Sequence, residues 1–329
     1  MCSLCIFPTI KLFSLAVFTL SATSLGISFD RRSIAGPVFS QNFPDPSVIF
    51  TDAYYAFSTT SAGLNVPVAT SQDFDTWNYL SHDALPIVGA WTISNTIWAP
   101  DVVEVDGGYV LFYAGESATN PGFHCVGVAT SAQVEGPYVA QAEPLVCPIS
   151  TGGAIDPAGF HDVNGDFYLL WKVDGNNIGH GGSCNNGVAP IVPTPIMIQQ
   201  LTADGTAFVA GSTATEILDR DDNDGPLIEA PSLTRSAEGI YFFTFSSNCY
   251  STSLYDVSYA TATNVLGPYT KQPWLMITGT PFAQLYAPGG ADITPDGTKL
   301  VFHADLGTTS ETRQLYTADI VLAGTTISI

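Results

Sequence analysis

The feature of this sequence that most constrains its fold is a pattern that occurs five times. In each copy a proline- or glycine-marked start opens a short apolar stretch, and a turn of Gly, Asp or Asn leads into an aromatic-rich stretch. The copies begin with PDPSVIF at Pro44, WAPDVVEV at Trp98, IDPAGFH at Ile155, EAPSLTR at Glu229 and GGADITP at Gly289. With Pro46, Pro100, Pro157, Pro231 and Gly290 taken as equivalent, the copies are 54, 57, 74 and 59 residues apart. Such spacing is typical of repeat architectures.

The repeat predicts an all-β fold, a five-bladed β-propeller with four-stranded antiparallel blades. Apolar stretches that alternate with Gly, Asp and Asn turns indicate antiparallel sheet, and no long stretch has helical periodicity. Five units of this length fit radial blades whose first strands line a central channel. A β-sandwich or barrel would not explain five copies. We therefore interpret residues 33–329 as a single propeller domain.

The first residues have the pattern of an export signal. Lys11 precedes LFSLAVFTLSATSLG, an apolar stretch that closes on small residues, as signal peptides do. Residues 1–26 are interpreted as the signal peptide, and Arg31-Arg32 marks the end of a candidate short propeptide at residue 32. We expect the protein to be secreted and extracellular, since no other stretch is long and apolar enough to span a membrane.

The charge of the chain restricts the classes of partner that it can bind. Nine Lys and Arg face 30 Asp and Glu, a net charge of −21. Residues 1–32 hold three of the basic and one of the acidic residues, so six basic and 29 acidic residues remain after them, a net charge of −23. This charge repels nucleic acid and anionic membranes and favours a neutral or cationic partner. Neutral carbohydrate fits, and we expect a monomer.

Four cysteines follow the predicted signal peptide. Cys125, Cys147, Cys184 and Cys249 are an even number in an exported chain, which predicts two disulfides among three pairings. Their spacing gives no Cys-x-x-Cys motif for zinc.

Three carboxylates stand at the starts of the inner strands, which a propeller brings to one rim of its channel. Asp45, Asp156 and Glu229 each lie beside, or two residues before, a proline that restricts the backbone. Because only six Lys and Arg remain, we expect three unpaired carboxylates that shift one another's pKa values. Such clusters usually serve chemistry. Two opposed carboxyls, one protonated and one ionised, can hydrolyse a glycosidic bond.

The motifs PDPS, WAPDV, IDP and IEAPSL resemble those of glycoside hydrolase family 43, and the resemblance runs from about Pro37 to Ile329. It implies a five-bladed propeller and an inverting mechanism, with Asp45 as general base and Glu229 as general acid. Asp156 would raise the pKa of that acid and orient it. The implied activity is release of pentoses, α-L-arabinofuranose or β-xylose, from plant cell-wall hemicellulose or arabinan. An endo-1,5-α-L-arabinanase and a non-catalytic carbohydrate-binding propeller are the alternatives.

The resemblance also points to substrate-binding residues. Phe43, Trp98 and Tyr286 are candidates to stack on a pentose ring, with a plain core role as the alternative. Arg313 matches an arginine that reaches the sugar in some relatives, and it could equally hold an aspartate in place. His303 matches a histidine that borders a metal or water cluster in some relatives, and a core histidine is the alternative. No cofactor is required, although a structural calcium ion in the central channel is compatible with the resemblance.

Two loops are expected to shape the cleft. The acidic sequence DRDDNDG at 219–225 departs from a calcium-binding loop in the position of its glycine and favours a solvated acidic loop. The loops at 174–195 and 219–228 are longer than the other connections, which predicts that one end of the cleft is walled off. A walled cleft favours exo action over endo action.

Overall fold

In the computed structural model of this protein, the described residues are Met1, 34–307 and 312–329. Apart from Met1, the predicted signal peptide and propeptide lie outside them. Within the described part, 22 strands form five four-stranded antiparallel sheets and one hairpin. This arrangement confirms the predicted five-bladed propeller, with one sheet as each blade.

The strands follow one another from the channel outward in blades 1 to 4. The first strand of the chain, β1 (Ile34–Ala35), precedes them and belongs to the last blade. Blade 1 consists of β2 (Ser47–Phe50), β3 (Tyr54–Phe57), β4 (Pro67–Ser71) and β5 (Trp77–Asp83). Blade 2 consists of β6 (Thr92–Val105), β7 (Gly108–Ser117), β8 (His124–Ser131) and β9 (Val139–Ala140).

The remaining blades repeat this order. Blade 3 consists of β10 (Ala154–His161), β11 (Phe167–Val173), β12 (Ile196–Leu201) and β13 (Thr215–Leu218). Blade 4 consists of β14 (Ile228–Arg235), β15 (Tyr241–Ser247), β16 (Ser258–Ala262) and β17 (Thr270–Lys271). Blade 5 consists of β18 (Gly289–Ile293), β19 (Lys299–Asp305), β20 (Arg313–Asp319) and β1, and a hairpin of β21 (Val321–Ala323) and β22 (Thr326–Ser328) follows it.

Helical structure in the described ranges is limited to four short 3₁₀ turns. They span Ile149–Thr151, Gly175–Ile178, Ser183–Asn185 and Asp222–Asp224. No helix there has the length and hydrophobicity needed to cross a lipid bilayer.

The core is divided among the gaps between blades. Five hydrophobic clusters of buried residues each join two neighbouring blades. Because a blade packs on both of its faces, its middle strands are apolar over most of their length, as in YLLW of β11 and YFFTF of β15. Burial of apolar area at these five interfaces is what holds the ring together.

The ring closes between blade 5 and the N-terminal segment. Ile34 and Ala35 of β1 pair with Ala318 and Thr317 of β20, so the outermost strand of the last blade comes from the start of the described chain. The adjoining cluster packs Phe43 of blade 1 against Val301 and Leu315 of blade 5. This seam joins residues that are more than 250 positions apart in sequence.

Each inner strand has one residue in the left-handed backbone region, which lies within the strand in blades 2 to 5 and two residues before it in blade 1. The φ angles are 49° at Asp45, 41° at Ala99, 54° at Asp156, 54° at Ala230 and 56° at Gly290. In blades 2 to 5 this residue and the next one drop out of the ladder with the second strand, which is a β-bulge. For a residue other than glycine, this conformation costs about 1–3 kcal/mol.

The backbone angles correct the predicted alignment of the fifth copy. Gly290 corresponds to Asp45 and Asp156, and Ala291 takes the position that proline holds in the other copies. A Cβ atom on the preceding residue, Gly289, would lie 1.9 Å from the Tyr255 ring. Blade 5 therefore has a glycine where other blades have a side chain, because the Tyr255 ring occupies the space that a Cβ atom would need.

Two further carboxylates lie deeper in the channel. Asp101 of β6 accepts a hydrogen bond from the Gly159 amide at 2.6 Å, and Asp292 of β18 accepts from the Val48 amide at 2.7 Å and the Ser232 hydroxyl at 2.6 Å. Burial and the neighbouring Asp292 raise the pKa of Asp101 to about 8. Burial, opposed by the hydrogen bonds, raises the pKa of Asp292 to about 6.

The first prediction concerns the seam. Phe43 is fully buried between blades 5 and 1, so Phe43→Ala should lower the free energy of unfolding by about 3–5 kcal/mol. Chemical denaturation measures this change. Phe50→Ala, which removes a half-exposed ring from β2, is the control and should change stability little. Equal stability of the two variants would show that Phe43 does not support the seam.

The second prediction concerns the channel. The folded state raises the pKa of Asp101 above the usual value of about 3.9, so the stability it contributes is present at low pH and is lost as the pH rises toward 8. Asp101→Asn, which stays neutral, should melt several degrees above the parent at pH 8 and show no such gain at pH 4.

Thermal melts across this pH range test the prediction. Asp106→Asn, in the exposed turn after β6, is the control and should follow the parent curve. Parallel curves for Asp101→Asn and the parent would contradict the assignment of this titration to Asp101.

Candidate active site

The three carboxylates predicted from sequence line one cavity at the rim of the channel. The cavity has a volume of about 490 Å³ and receives Asp45 from the turn before β2, Asp156 from β10 and Glu229 from β14. Asp45 and Asp156 occupy the left-handed position of their blades, and Glu229 precedes it in blade 4. The bulges therefore direct carboxylates from three blades toward a common space.

Glu229 is held through both of its oxygens. Its Oε1 accepts a hydrogen bond from the Tyr255 hydroxyl at 2.8 Å, and its Oε2 accepts from the Lys172 ammonium at 2.9 Å. Lys172 lies on β11 and is fully buried, and its Nζ is also 3.3 Å from Oδ1 of Asp174. These contacts fix the plane of the Glu229 carboxyl.

Asp156 lies beside Glu229 and is buried. Its Oδ2 accepts a hydrogen bond from the Ala230 amide at 2.9 Å, which ties β10 to β14. Burial and the charge of Glu229 raise the pKa of Asp156 to about 8, whereas Lys172 acts in the opposite direction.

Asp45 is held by charged and polar partners on several blades. Its Oδ1 is 2.9 Å from the Arg313 guanidinium of β20, and its Oδ2 accepts from the Thr59 hydroxyl at 2.7 Å. The Thr59 hydroxyl in turn accepts from the Ala99 amide at 2.8 Å. Asp45 is therefore fixed from blades 1 and 5 and linked to blade 2.

The expectation of three unpaired carboxylates was wrong. Lys172 and Arg313, two of the six basic residues after residue 32, lie in this cavity and pair with Glu229 and Asp45. Desolvated carboxylates at this density need cations nearby, and the chain places them here despite their scarcity. Arg313 does hold an aspartate in place, one of the two roles considered for it.

His303 is buried beside Asp45, outside the residues that line the cavity. Its Nδ1 accepts a hydrogen bond from the Asp45 amide at 3.0 Å, so the single proton of the neutral ring is on Nε2. The ring is fully buried, stacks on Tyr255 at 5.8 Å and does not line the cavity. Burial lowers the pKa of His303 well below its usual value, and nearby Arg313 lowers it further.

No group of three or more His, Cys, Asp and Glu residues in the described ranges is arranged to hold a metal ion. The acidic sequence at 219–225 is instead organised by internal hydrogen bonds, in which Asp221 caps the turn Asp222–Asp224, and by Lys271, which bonds to Asp221 and Asp224.

Of the three aromatic candidates, Trp98 lines the cavity, whereas Phe43 and Tyr286 do not. Trp98 lines the cavity with 39% of its surface exposed and stacks on the His124 ring at 3.6 Å. Phe43 is fully buried in the seam and cannot touch a substrate, because its side chain points between blades 5 and 1. Tyr286 is half-buried and does not line the cavity. Tyr250, which sequence reasoning missed, lines it with 49% of its surface exposed and lies 5.1 Å from the Arg313 guanidinium.

A disulfide holds one wall of the cavity. Cys184, in the loop after β11, is bonded to Cys249, in the loop after β15, and both Cys184 and the neighbouring Tyr250 line the cavity. The second disulfide, Cys125–Cys147, lies within blade 2, so the two predicted disulfides are present. The loop at 174–195 forms part of the cavity wall, as expected. Residues 219–225 do not line the cavity, and only Leu227 of the 219–228 segment reaches it, because the capped turn folds away against Lys271.

Three curated proteins show what this chain is similar to. A β-xylosidase of Xylanibacter ruminicola is 30% identical over 196 residues, covering 55% of this chain and 57% of that protein. An extracellular endo-α-(1→5)-L-arabinanase of Thermotoga petrophila is 30% identical over 168 residues, covering 41% and 34%. A β-D-galactofuranosidase of Aspergillus niger is 25% identical over 305 residues, covering 85% and 78%. The chain spans about half the length of the xylosidase and a third of the arabinanase.

Solved structures share the fold. A thermostable family-43 glycoside hydrolase superimposes with a TM-score of 0.69 at 20% identity, covering 87% of this chain and 92% of that one. An endo-arabinase of Bacteroides thetaiotaomicron gives a TM-score of 0.68 at 20% identity, covering 88% and 98%. The sequence profile of glycosyl hydrolases family 43 matches residues 34–320. Because that match includes all five blades, the chain belongs to glycosyl hydrolases family 43.

Proposed function

We propose that this protein is a secreted, inverting glycosidase that releases single pentoses, α-L-arabinofuranose or β-xylose, from neutral cell-wall arabinan or hemicellulose. The observation that carries the proposal is the cavity in which Asp45, Asp156 and Glu229 meet from three blades, with Asp45 and Glu229 paired to separate cations. The activities of the xylosidase and arabinanase relatives support the substrate class.

The contacts of Asp45 suit a general base. Arg313 and Thr59 each hold one carboxylate oxygen and fix the orientation of the carboxylate. An ionised carboxylate fixed in this way can accept a proton from a water molecule that attacks the anomeric carbon. Attack on the face opposite the leaving group inverts the configuration.

The contacts of Glu229 suit a general acid. Its carboxyl is oriented by Lys172 and Tyr255, and it lies beside Asp156, whose pKa burial and Glu229 raise to about 8. The two neighbouring carboxyls thus share a site in which both cannot easily be ionised together. Glu229 can then protonate the departing oxygen, while Asp156 holds β10 and β14 in register through the Ala230 amide.

The charges of the cavity favour a neutral sugar. Of the basic residues that the structure describes, Lys172 and Arg313 line the cavity, and both are engaged with carboxylates. A uronate or phosphate would meet acidic groups and no unengaged cation there. Trp98 and Tyr250 instead present exposed aromatic surface, which suits the apolar face of a sugar ring.

The wall held by Cys184–Cys249 favours exo action. It links loops of blades 3 and 4 across one side of the cavity and limits room for a polymer that runs through. Export is supported by the two disulfides, which persist in oxidising compartments. The extracellular arabinanase relative agrees with it.

The third prediction separates the catalytic roles. Asp45→Ala should abolish hydrolysis of every substrate, because no other group activates the water. Glu229→Ala should reduce kcat/KM on xylobiose and arabinobiose by about 10²–10⁴-fold. It should retain much more activity on 2,4-dinitrophenyl pentosides, whose leaving group needs no proton. Steady-state kcat/KM on both substrate types measures this. Equal losses for Glu229→Ala on both would rule out the acid role.

The fourth prediction concerns products. Proton NMR during hydrolysis of linear arabino- and xylo-oligosaccharides should show single pentoses from the first turnover, released with the anomeric configuration opposite to that of the substrate. Retained configuration would contradict the mechanism.

Mixed oligomers from debranched arabinan, with little free pentose, would instead support an endo-arabinanase. The same assay should include a β-D-galactofuranoside, because the relative that covers 85% of this chain is a β-D-galactofuranosidase. A preference for that substrate over pentosides would overturn the proposed specificity.

A further inference from the structure

Lys172 is a buried cation at a position where the fold itself does not need one. It lies near the end of β11, after Leu169, Leu170 and Trp171, which are all buried apolar residues. Removing an ammonium group from water costs several kcal/mol unless close partners offset the loss. Burial disfavours the charge, but Glu229, Asp174 and Asp156 raise the pKa of Lys172 above its usual value. Lys172 is therefore a permanent cation beside Glu229.

The two oxygens of Glu229 have chemically different neighbours. Oε2 faces Lys172, whose ammonium has three donors and no acceptor. Oε1 faces the Tyr255 hydroxyl, which can donate a hydrogen bond or turn and accept one. A proton on Oε2 would point at an N–H donor. A proton on Oε1 would instead point at the Tyr255 hydroxyl, which can rotate and accept a hydrogen bond from it. The reactive proton thus belongs on Oε1.

We propose that Lys172 is a positioning residue of the reaction: it reserves Oε2 of Glu229 as an acceptor and leaves Oε1, beside Tyr255, as the oxygen that delivers the proton. This inference deepens the proposed function and rests on the role of Glu229 as general acid. Lys172 acts through Glu229 and does not itself touch the substrate.

The step balances with the groups present. The Oε1–H bond of Glu229 breaks as the glycosidic C–O bond breaks, and the departing oxygen keeps the C–O electron pair and takes the proton. The water oxygen bonds to the anomeric carbon and gives its proton to Asp45. Glu229 is left as a carboxylate, and the ammonium of Lys172 at 2.9 Å stabilises that new charge. Exchange of one proton with solvent at each residue restores the starting state.

The charged groups around Lys172 define its effect on pH dependence. Glu229 faces it from β14, Asp156 from β10 and Asp174 from the end of its own strand. His124 of β8 senses Asp174, but burial lowers the pKa of His124, so it is neutral near pH 7.

On the far side of Glu229 lie Tyr255, Asp45 and Arg313. Among these groups, Lys172 is the cation in contact with Glu229, and it lowers the pKa of Asp156 against the effects of burial and of Glu229.

The sign of the expected pH shift follows from this charge. Lys172 lowers the pKa of Asp156, which lies beside Glu229, so removal of Lys172 should raise the pKa of Asp156 further. The basic limb of the kcat/KM profile should therefore move upward. Without Lys172, Oε2 of Glu229 also loses its fixed donor, and the charge formed on Glu229 loses a stabilising ammonium, so proton delivery to a poor leaving group should slow.

The fifth prediction tests the inference with Lys172→Met, which keeps length and removes the charge. We expect its basic limb on xylobiose or arabinobiose to lie about one pH unit or more above that of the parent. Its kcat on these substrates should fall about tenfold or more, while its kcat on 2,4-dinitrophenyl pentosides stays near the parent value. Lys172→Arg, which retains a cation, should keep the basic limb near that of the parent.

Lys271→Met is the matched control, because Lys271 also bonds to two aspartates but lies outside the cavity. Its pH profile should equal that of the parent. If Lys172→Met folds poorly, Lys172→Met/Asp174→Asn removes both charges of the buried pair, and the same shift and leaving-group dependence are expected.

A folded Lys172 variant without charge that keeps the parent basic limb and leaving-group dependence would overturn the inference. The Glu229→Ala variant distinguishes this result from failure of the proposed function. If Glu229→Ala shows the leaving-group dependence of a missing acid and the Lys172 variants show no shift, only the role of Lys172 is wrong. If Glu229→Ala loses activity equally on both substrate types, the acid assignment itself is wrong.

Discussion

The arrangement of this protein depends on the left-handed residue that occurs in or just before every inner strand. In blades 2 to 5 this residue and its successor leave the β-ladder, so the chain can turn side chains toward the channel there. At Asp45 and Asp156 the conformation is adopted by a residue other than glycine, at a cost of about 1–3 kcal/mol each. The apolar packing between blades compensates for that cost, since it holds both neighbours of each inner strand in place.

Scarce positive charge is concentrated where negative charge is densest. Arg313 and Lys172 hold Asp45 and Glu229 in defined orientations, while burial and Glu229 raise the pKa of Asp156. The cavity thus contains one carboxylate held by Arg313 and, across from it, a neighbouring pair held by Lys172.

The repeat predicted the blades and the meeting of Asp45, Asp156 and Glu229, because both follow from positions that recur along the chain. Lys172 was missed because it ends an apolar strand, and only the pairing of blades 3 and 4 brings it to Glu229. Tyr250 was missed because its place depends on a loop and on the Cys184–Cys249 disulfide, which spacing could not assign. Of the two roles considered for Phe43, the structure shows the core one, because a residue two positions from Asp45 points the other way, into the seam.

The seam has a consequence for how the protein is made. Two partners that fix Asp45 come from blade 5. Arg313 donates a hydrogen bond to its carboxylate, and His303 accepts a hydrogen bond from its backbone amide. The ribosome must therefore complete almost the whole chain before Asp45 acquires these contacts. A nascent or truncated protein that holds blades 1 to 4 has Asp156, Glu229 and Lys172 but lacks a fixed Asp45. The cavity thus takes its full geometry only when blade 5 closes against the N-terminal segment of the described chain.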